Sequence, residues 1–288
     1  MGTIYVLGAG LSKTCNIATD AEMLAALDPL LKATPQKDGG PPRTTIEHLT
    51  EQNFLDGGGI GFELFMSNLS SLKFLGDCWG GKKNVFREEE RELRTALRSY
   101  LTECVKSVNW NAEGKAILDF MKIINWSADH ILTFNYDELL ETAAEKLGIA
   151  VDDRIIHLHG AVSERTLAWP TFTKFAYRTT KAPLAPRWKK AFELLRNQAE
   201  LDELVFIGYS MPPADLEAKA LFNYSDWYNS LPGIPFFHGK QVPASKRYSY
   251  EICVINPSPA VQQNYKFFRR APRFLWQKFE VWLRGRRR

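Results

Sequence analysis

The chain has 288 residues, 45% of them hydrophobic and 24% charged, with a formal charge of +4. That is too much apolar material for a disordered tail and enough for one large core. No run approaches the ~18 apolar residues of a membrane span, and the start of the chain lacks the basic, apolar and small-residue segments of a secretory leader, so a cytoplasmic protein is expected. The positive charge is local: residues 261–288 hold nine Lys or Arg and one Glu, and the remainder is net acidic.

The first apolar run, residues 3–7, is β-branched and stops at Gly8-Ala9-Gly10, as a buried strand entering a tight turn does. Residues 20–125 lack strand-like runs and carry apolar residues every three or four positions. Met23, Leu24, Leu27, Leu30 and Leu31 make one stripe, Phe62, Leu64, Phe65 and Leu69 a second, and Leu93, Leu97, Leu101 and Cys104 a third. This region reads as a helical insertion after the first strand, with the charge run 87–92 on the solvated face of its last helix. Further buried strands are expected at 129–134, 155–158, 203–207 and 250–255. A helix led by Leu139 and Leu140 should end at Gly148, and a second crossover helix fits 188–199. Alternation of this kind predicts an α/β fold, a parallel sheet covered on both faces. The four cysteines, Cys15, Cys78, Cys104 and Cys253, are isolated in sequence, so neither a disulfide framework nor a metal site is indicated.

Glycines at the end of a strand let the backbone approach a pyrophosphate, and a following helix would aim N–H groups at it, which makes Gly8, Ala9, Gly10, Leu11 and Ser12 candidate nucleotide ligands. A dinucleotide fingerprint needs a small residue where Lys13 stands and an acidic residue about 20 positions on, so an ordinary dehydrogenase is disfavoured. Ligands in open parallel sheets bind outside the carboxyl ends of strands, and four more polar segments stand at such ends. They are Asn135-Tyr136-Asp137, His157-Leu158-His159-Gly160, Gly208-Tyr209-Ser210 leading to Asp215, and Asn256-Pro257.

In order and chemistry these segments resemble the sirtuin family, specifically its bacterial sirtuin-like NAD-hydrolase branch found in antiphage defence. The resemblance rests on Gly8-Ala9-Gly10-x-Ser12, Asn135-Tyr136-Asp137, His159-Gly160, Gly208-Tyr209-Ser210 and Ile255-Asn256, and extends to 279–283. It implies a sirtuin-like Rossmann-type parallel sheet with a helical insertion after the first strand, spanning 1–288 as one NAD-binding catalytic domain. Residues 161–207 contain no cysteine, so the zinc module of protein-deacylating sirtuins is absent from this sequence. The implied activity is hydrolysis of NAD to nicotinamide and ADP-ribose, with cyclisation as a variant outcome. The implied role is NAD depletion that halts an infected cell, restrained by an oligomer switch or a partner such as a nucleotide sensor, a HerA-like ATPase or an Argonaute-like protein. A zinc-free protein deacylase and a silent NAD or ADP-ribose sensor are the rival readings.

Nicotinamide leaves NAD as a neutral base, so no general acid is required; a water must be oriented and its proton accepted. Asn135 suits the first task and His159 the second. His157 would share a face with His159 on a regular strand and ranks second. Asp137 is expected to cap the following helix or hold the ribose loop, Ser210 and Asn256 to meet the adenosine ribose, and Asp215 to cap a helix. His48, His130 and His238 have no comparable context. The ending 284–288 reads as a loose solubilising tail, with nucleic-acid contact disfavoured, and the aromatics of 267–282 as packing residues.

Overall fold

The computed structural model describes residues 2–31, 44, 46–47, 61–78, 85–164, 183–196, 201–212, 215–230 and 250–286. The Gly39 to Pro42 loop, His48, Pro213 and His238 lie outside them, as do residues 287–288. Among the described residues six strands form one sheet: β1 (Gly2–Leu7), β2 (His130–Thr133), β3 (Ile155–His157), β4 (Leu201–Ile207), β5 (Glu251–Ile255) and β6 (Arg273–Leu275). Every pairing is parallel and the order is β3-β2-β1-β4-β5-β6. This is the doubly wound order, in which the chain runs outward from β1 to β3, then returns to place β4 on the other side of β1. The strand ends are level. Leu7 pairs with Thr133 and Ile207, Thr133 with His157, and Ile207 with Ile255, which pairs with Leu275.

Alternation along the central strands supplies two cores. Tyr5, Leu7, Val205, Ile207, Cys253 and Ile255 face one side, and Ile4, Val6, Leu132, Phe206 and Val254 face the other. The first side is covered by the helices between β1 and β2: α1 (Ala9–Ser12), α2 (Asp20–Leu27), α3 (Phe62–Cys78), α4 (Val85–Ser107) and α5 (Lys115–Ile123). With them pack α6 (Leu139–Leu147) and, through Phe279, Trp282 and Leu283, α9 (Phe279–Arg286). The ring of Phe120 on α5 meets Tyr5 edge-on at 5.2 Å and Phe279 at 5.6 Å, so the helices and the sheet share one continuous core. On the second side lie α7 (Ala185–Arg196) and α8 (Leu216–Ser230), with Tyr265 and Phe268.

α2 starts on a capping box in which Thr19 and Glu22 bond each other's backbone, and α6 ends where Gly148 turns left-handed at φ 64°. Three expectations change. The charge run on α4 is not all solvated: Glu90 is buried and bonded by both Lys73 and Arg94, because the α3–α4 seam passes over it. The basic end is no loose tail as far as Arg286, which caps α9 by pairing with the buried Glu203 and lying over Trp282. The sheet also gains β6, only three residues long and headed by Arg273, which gives it little periodicity to read.

The aromatics of the last segment pack as expected: Phe268, Phe279 and Trp282 are buried, and the more exposed Trp276 stacks on Phe274 at 4.9 Å. Cys15 and Cys253 are buried and Cys78 exposed, all as free thiols. Among the described residues no helix is long and apolar enough to cross a membrane, and no group of three or more metal-ligating side chains comes together.

Candidate active site

Because the strands end level, the segments that follow them begin on one row. The backbone ladder continues one step past the strands: Phe134 N–H donates to Leu7 O, Gly8 to Ile207 O, Leu158 to Thr133 O, Gly208 to Ile255 O and Asn256 to Leu275 O. The loops after β1 and β4 therefore meet at the reversal of strand order, and they interlock. Gly10 N–H donates to Gly208 O at 2.9 Å. A Cβ on Gly10 would sit 2.8 Å from Gly208 Cα, and one on Gly8 would sit 2.6 Å from Tyr209 Cα. Gly208, at φ 61°, would bring a Cβ to 2.5 Å from Leu11 N. The glycines are thus required by loop-to-loop approach itself. Ala9, Gly10, Ser210 and Pro257 remain exposed and form the rim of this edge, while Leu11 and Tyr209 are buried beneath it.

The helix expected after the glycine loop is a single short turn. α1 has four residues and passes through a tight turn at Lys13–Cys15 to Asn16, whose backbone is left-handed at φ 60°. This turn is anchored laterally: Leu11 is buried, and the Ser12 hydroxyl is bonded to a neighbouring segment.

That bond belongs to a directed chain. Asn135 Nδ2 donates to Gly8 O at 3.2 Å and to Ser12 Oγ at 2.8 Å, and Ser12 Oγ donates to Asp137 Oδ2 at 2.7 Å. Gly8 O only accepts, so the Asn135 amide is fixed with both hydrogens turned to protein and Oδ1 as its remaining acceptor. Asp137 Oδ1 accepts the Leu139 N–H at 3.3 Å, tying the network to the first turn of α6. Burial pushes the Asp137 carboxyl above its ordinary value, against the lowering effect of the Ser12 and Leu139 donors. Asn135 N–H closes on Thr133 Oγ1 at 3.1 Å.

His159 stands among rings. Phe134 meets it edge-on at 5.2 Å, Tyr136 stacks at 5.8 Å and Trp188 lies at 6.3 Å, with the Trp188 indole N–H donated to Leu158 O at 2.9 Å. Its Nε2 is 3.4 Å from Asp215 Oδ1, and both residues are buried. Asp215 Oδ2 accepts the Tyr209 hydroxyl at 2.5 Å. The Tyr209 ring stacks on Phe134 at 4.4 Å, and its carbonyl accepts the Tyr265 hydroxyl at 2.6 Å. The loop reaches Asp215 through Met211, a non-glycine residue with φ 51°.

His157 and His159 do not share a face. β3 ends at His157 and the chain turns at Leu158, so the regular alternation that would align them is broken. His157 is turned toward α6, where Nε2 meets Glu141 Oε1 at 2.7 Å and Nδ1 meets Asn135 O at 3.2 Å. Two acceptors on one imidazole require both nitrogens to carry hydrogen. Burial lowers the His157 pKa, but the Glu141 hydrogen bond and charge outweigh it and hold the ring above its ordinary value. His130, at the opposite end of the sheet, is pushed down to about 4 by burial and by the charges of Arg154 and Lys190.

The remaining predicted residues lie on the same edge with local partners. Ser210 O accepts Asn264 Nδ2 at 2.8 Å, and Asn256 Oδ1 accepts the Ser258 N–H at 3.0 Å, an Asx turn. Both Asp215 carboxylate oxygens are engaged by the ring side chains, a role the residue's position before α8 did not announce. Glu141 and Trp188 were also not singled out, because a helix-facing Glu and a helix-borne Trp carry no motif.

No family model and no curated protein matches the sequence. Among solved structures, the chain aligns with a triple mutant of a Sir2 homologue in complex with 2′-O-acetyl ADP-ribose, at 14% identity and a TM-score of 0.48, over 99% of this chain and 91% of that one.

Proposed function

We propose that the chain binds NAD along the level carboxyl edge of its sheet and hydrolyses the bond between nicotinamide and ribose. The observation that supports this reading most directly is the meeting of five strand-end segments on one row at the reversal of strand order, where doubly wound sheets hold nucleotides. The exposed rim of Ala9 and Gly10 would take the pyrophosphate. Ser210, Asn256 and Pro257 would border the adenosine ribose, and Tyr136 and Asp137 the nicotinamide ribose.

In the reaction a water oxygen bonds to the ribose C1′ as the C1′–N bond breaks. The bonding pair returns to the pyridinium ring, so nicotinamide leaves neutral without a general acid. Asn135 Oδ1, the one acceptor left on its fixed amide, would orient the water. His159 would take the proton that water releases, a role worth ~10²–10⁴-fold in rate. The wider role follows from the motif resemblance: depletion of NAD as the effector of an antiphage system, released by self-association or by a nucleotide-sensing, HerA-like or Argonaute-like partner.

The test is incubation of the purified chain with NAD, with and without an acylated peptide, following nicotinamide, ADP-ribose and cyclic product by chromatography. Conversion without peptide, lost by ~100-fold or more in Asn135→Ala and His159→Ala, is the expected result. Undiminished turnover in either variant overturns the assignment, and turnover only with peptide favours acyl transfer. Calorimetry with ADP-ribose tests the binding half independently of any activator; no binding by the wild-type chain removes the reading.

A further inference from the structure

The loop between β4 and α8 carries a carboxylate that the proposed hydrolysis does not require for binding. Asp215 is 2% exposed and His159 5%, so an unpaired carboxylate here would pay the full cost of leaving water. Its two oxygens are divided. Oδ2 is held at 2.5 Å by the Tyr209 hydroxyl, and Oδ1 points to His159 Nε2 at 3.4 Å. Tyr209 is itself fixed by its stack on Phe134 and by the Tyr265 hydroxyl on its carbonyl. Phe134 and Trp188 in turn wall the imidazole. A separation of 3.4 Å is an ion-pair contact, slightly long for a hydrogen bond, and contacts of this kind tighten when substrate binds.

From this geometry we infer that Asp215 is a positioning residue for His159: its carboxylate holds the imidazole as the Nε2–H tautomer, fixes the ring plane, and stabilises the imidazolium formed when the ring takes the proton of the attacking water. The inference rests on the hydrolytic reading for its catalytic consequence but not for its structural content. A carboxylate behind an imidazole fixes both tautomer and ring plane, and it gains in value as the ring becomes charged. Tyr209 keeps the carboxylate aimed, so the arrangement is a three-member relay built on one loop and closed onto another. Asp215 is thereby distinguished from Glu141, which pairs with His157 on the opposite side of the sheet.

Two measurements test this. Ring ¹⁵N spectra of His159 in the ligand-free wild-type protein, taken on the alkaline side where the ring is neutral, should show the Nε2–H tautomer; an Nδ1–H ring overturns the inference whether or not the chain hydrolyses NAD. In steady-state assays Asp215→Asn should lower kcat for NAD by about 100-fold or more, with KM changed by less than about threefold, because only the charged transition state loses its counter-charge. Tyr209→Phe, which keeps the carboxylate, should lose less than Asp215→Asn. An Asp215→Asn enzyme with wild-type kcat, or one in which the loss falls on KM alone, overturns the role. A wild-type chain that shows the Nε2–H tautomer but binds no ADP-ribose refutes the hydrolytic reading and leaves the relay standing.

Discussion

The interlocked glycine loops set a strain that can be measured in parts. Gly208 has φ 61° and would place a Cβ 2.5 Å from Leu11 N and 2.6 Å from Gly10 C, both backbone atoms that cannot swing away. Gly148 has nearly the same φ, 64°, but nothing within 4 Å of its Cβ position, and Gly10 has the close contacts without a positive φ. Gly148→Ala therefore reports the left-handed conformation alone, about 1 kcal/mol. Gly10→Ala reports overpacking alone, about 1–3 kcal/mol. Gly208→Ala should carry both, about 2–4 kcal/mol, or a fall of roughly 4–8 °C in Tm at this chain length. The smaller freedom of the unfolded alanine chain, about 0.4–1 kcal/mol, favours all three variants alike and cancels in the comparison. Circular dichroism melts of the three variants supply the numbers, and ADP-ribose calorimetry asks whether the edge is deformed. If Gly208→Ala melts with Gly148→Ala, the loops have room to part, and the close approach is not what demands glycine.

Two further outcomes concern the scaffold. Because His157 has its pKa raised in the folded protein, its pairing with Glu141 stabilises fully below the unfolded value of about 6.5 and fades as pH rises through the folded value. Glu141→Gln should therefore cost most at acidic pH and little at pH ~9 in denaturant titrations; a cost independent of pH refutes the pairing. Phe120 is fully buried between Tyr5 and Phe279, so Phe120→Ala should lower unfolding free energy by about 3–5 kcal/mol; a loss below about 1 kcal/mol would mean that α5 is not seated on the sheet as described.

Strands and their carboxyl-end loops were legible because a parallel sheet buried on both faces writes itself as short, near-continuous apolar runs: β1, β2, β4 and β5 each fall within a residue or two of the expected runs. β6 was not legible, having three residues and an arginine at its head. The site was legible as segments and not as pairings. Asn135, Ser12 and Asp137 were each marked by a motif, but the hydrogen-bond direction linking them depends on Gly8 O, a backbone atom. The His159–Asp215 contact joins loops far apart in the chain, and no periodicity encodes it. The expected alignment of His157 with His159 fails for a local reason: His159 lies two residues beyond the end of β3, where strand alternation no longer holds.

The sheet is wound from its middle. Among the described strands, the first in the chain to pair with β1 is β2, across a span typified by the 126 residues between Thr3 N and the Asp129 carboxylate that receives it. At ribosomal speeds of about 5–20 residues per second, a largely apolar ribbon waits roughly 6–25 s for its first neighbour and longer for β4. The α2–α4 segment is synthesised during that interval and packs on the same side as Tyr5 and Leu7, so it can shield the nascent ribbon from aggregation while the rest of the message is read.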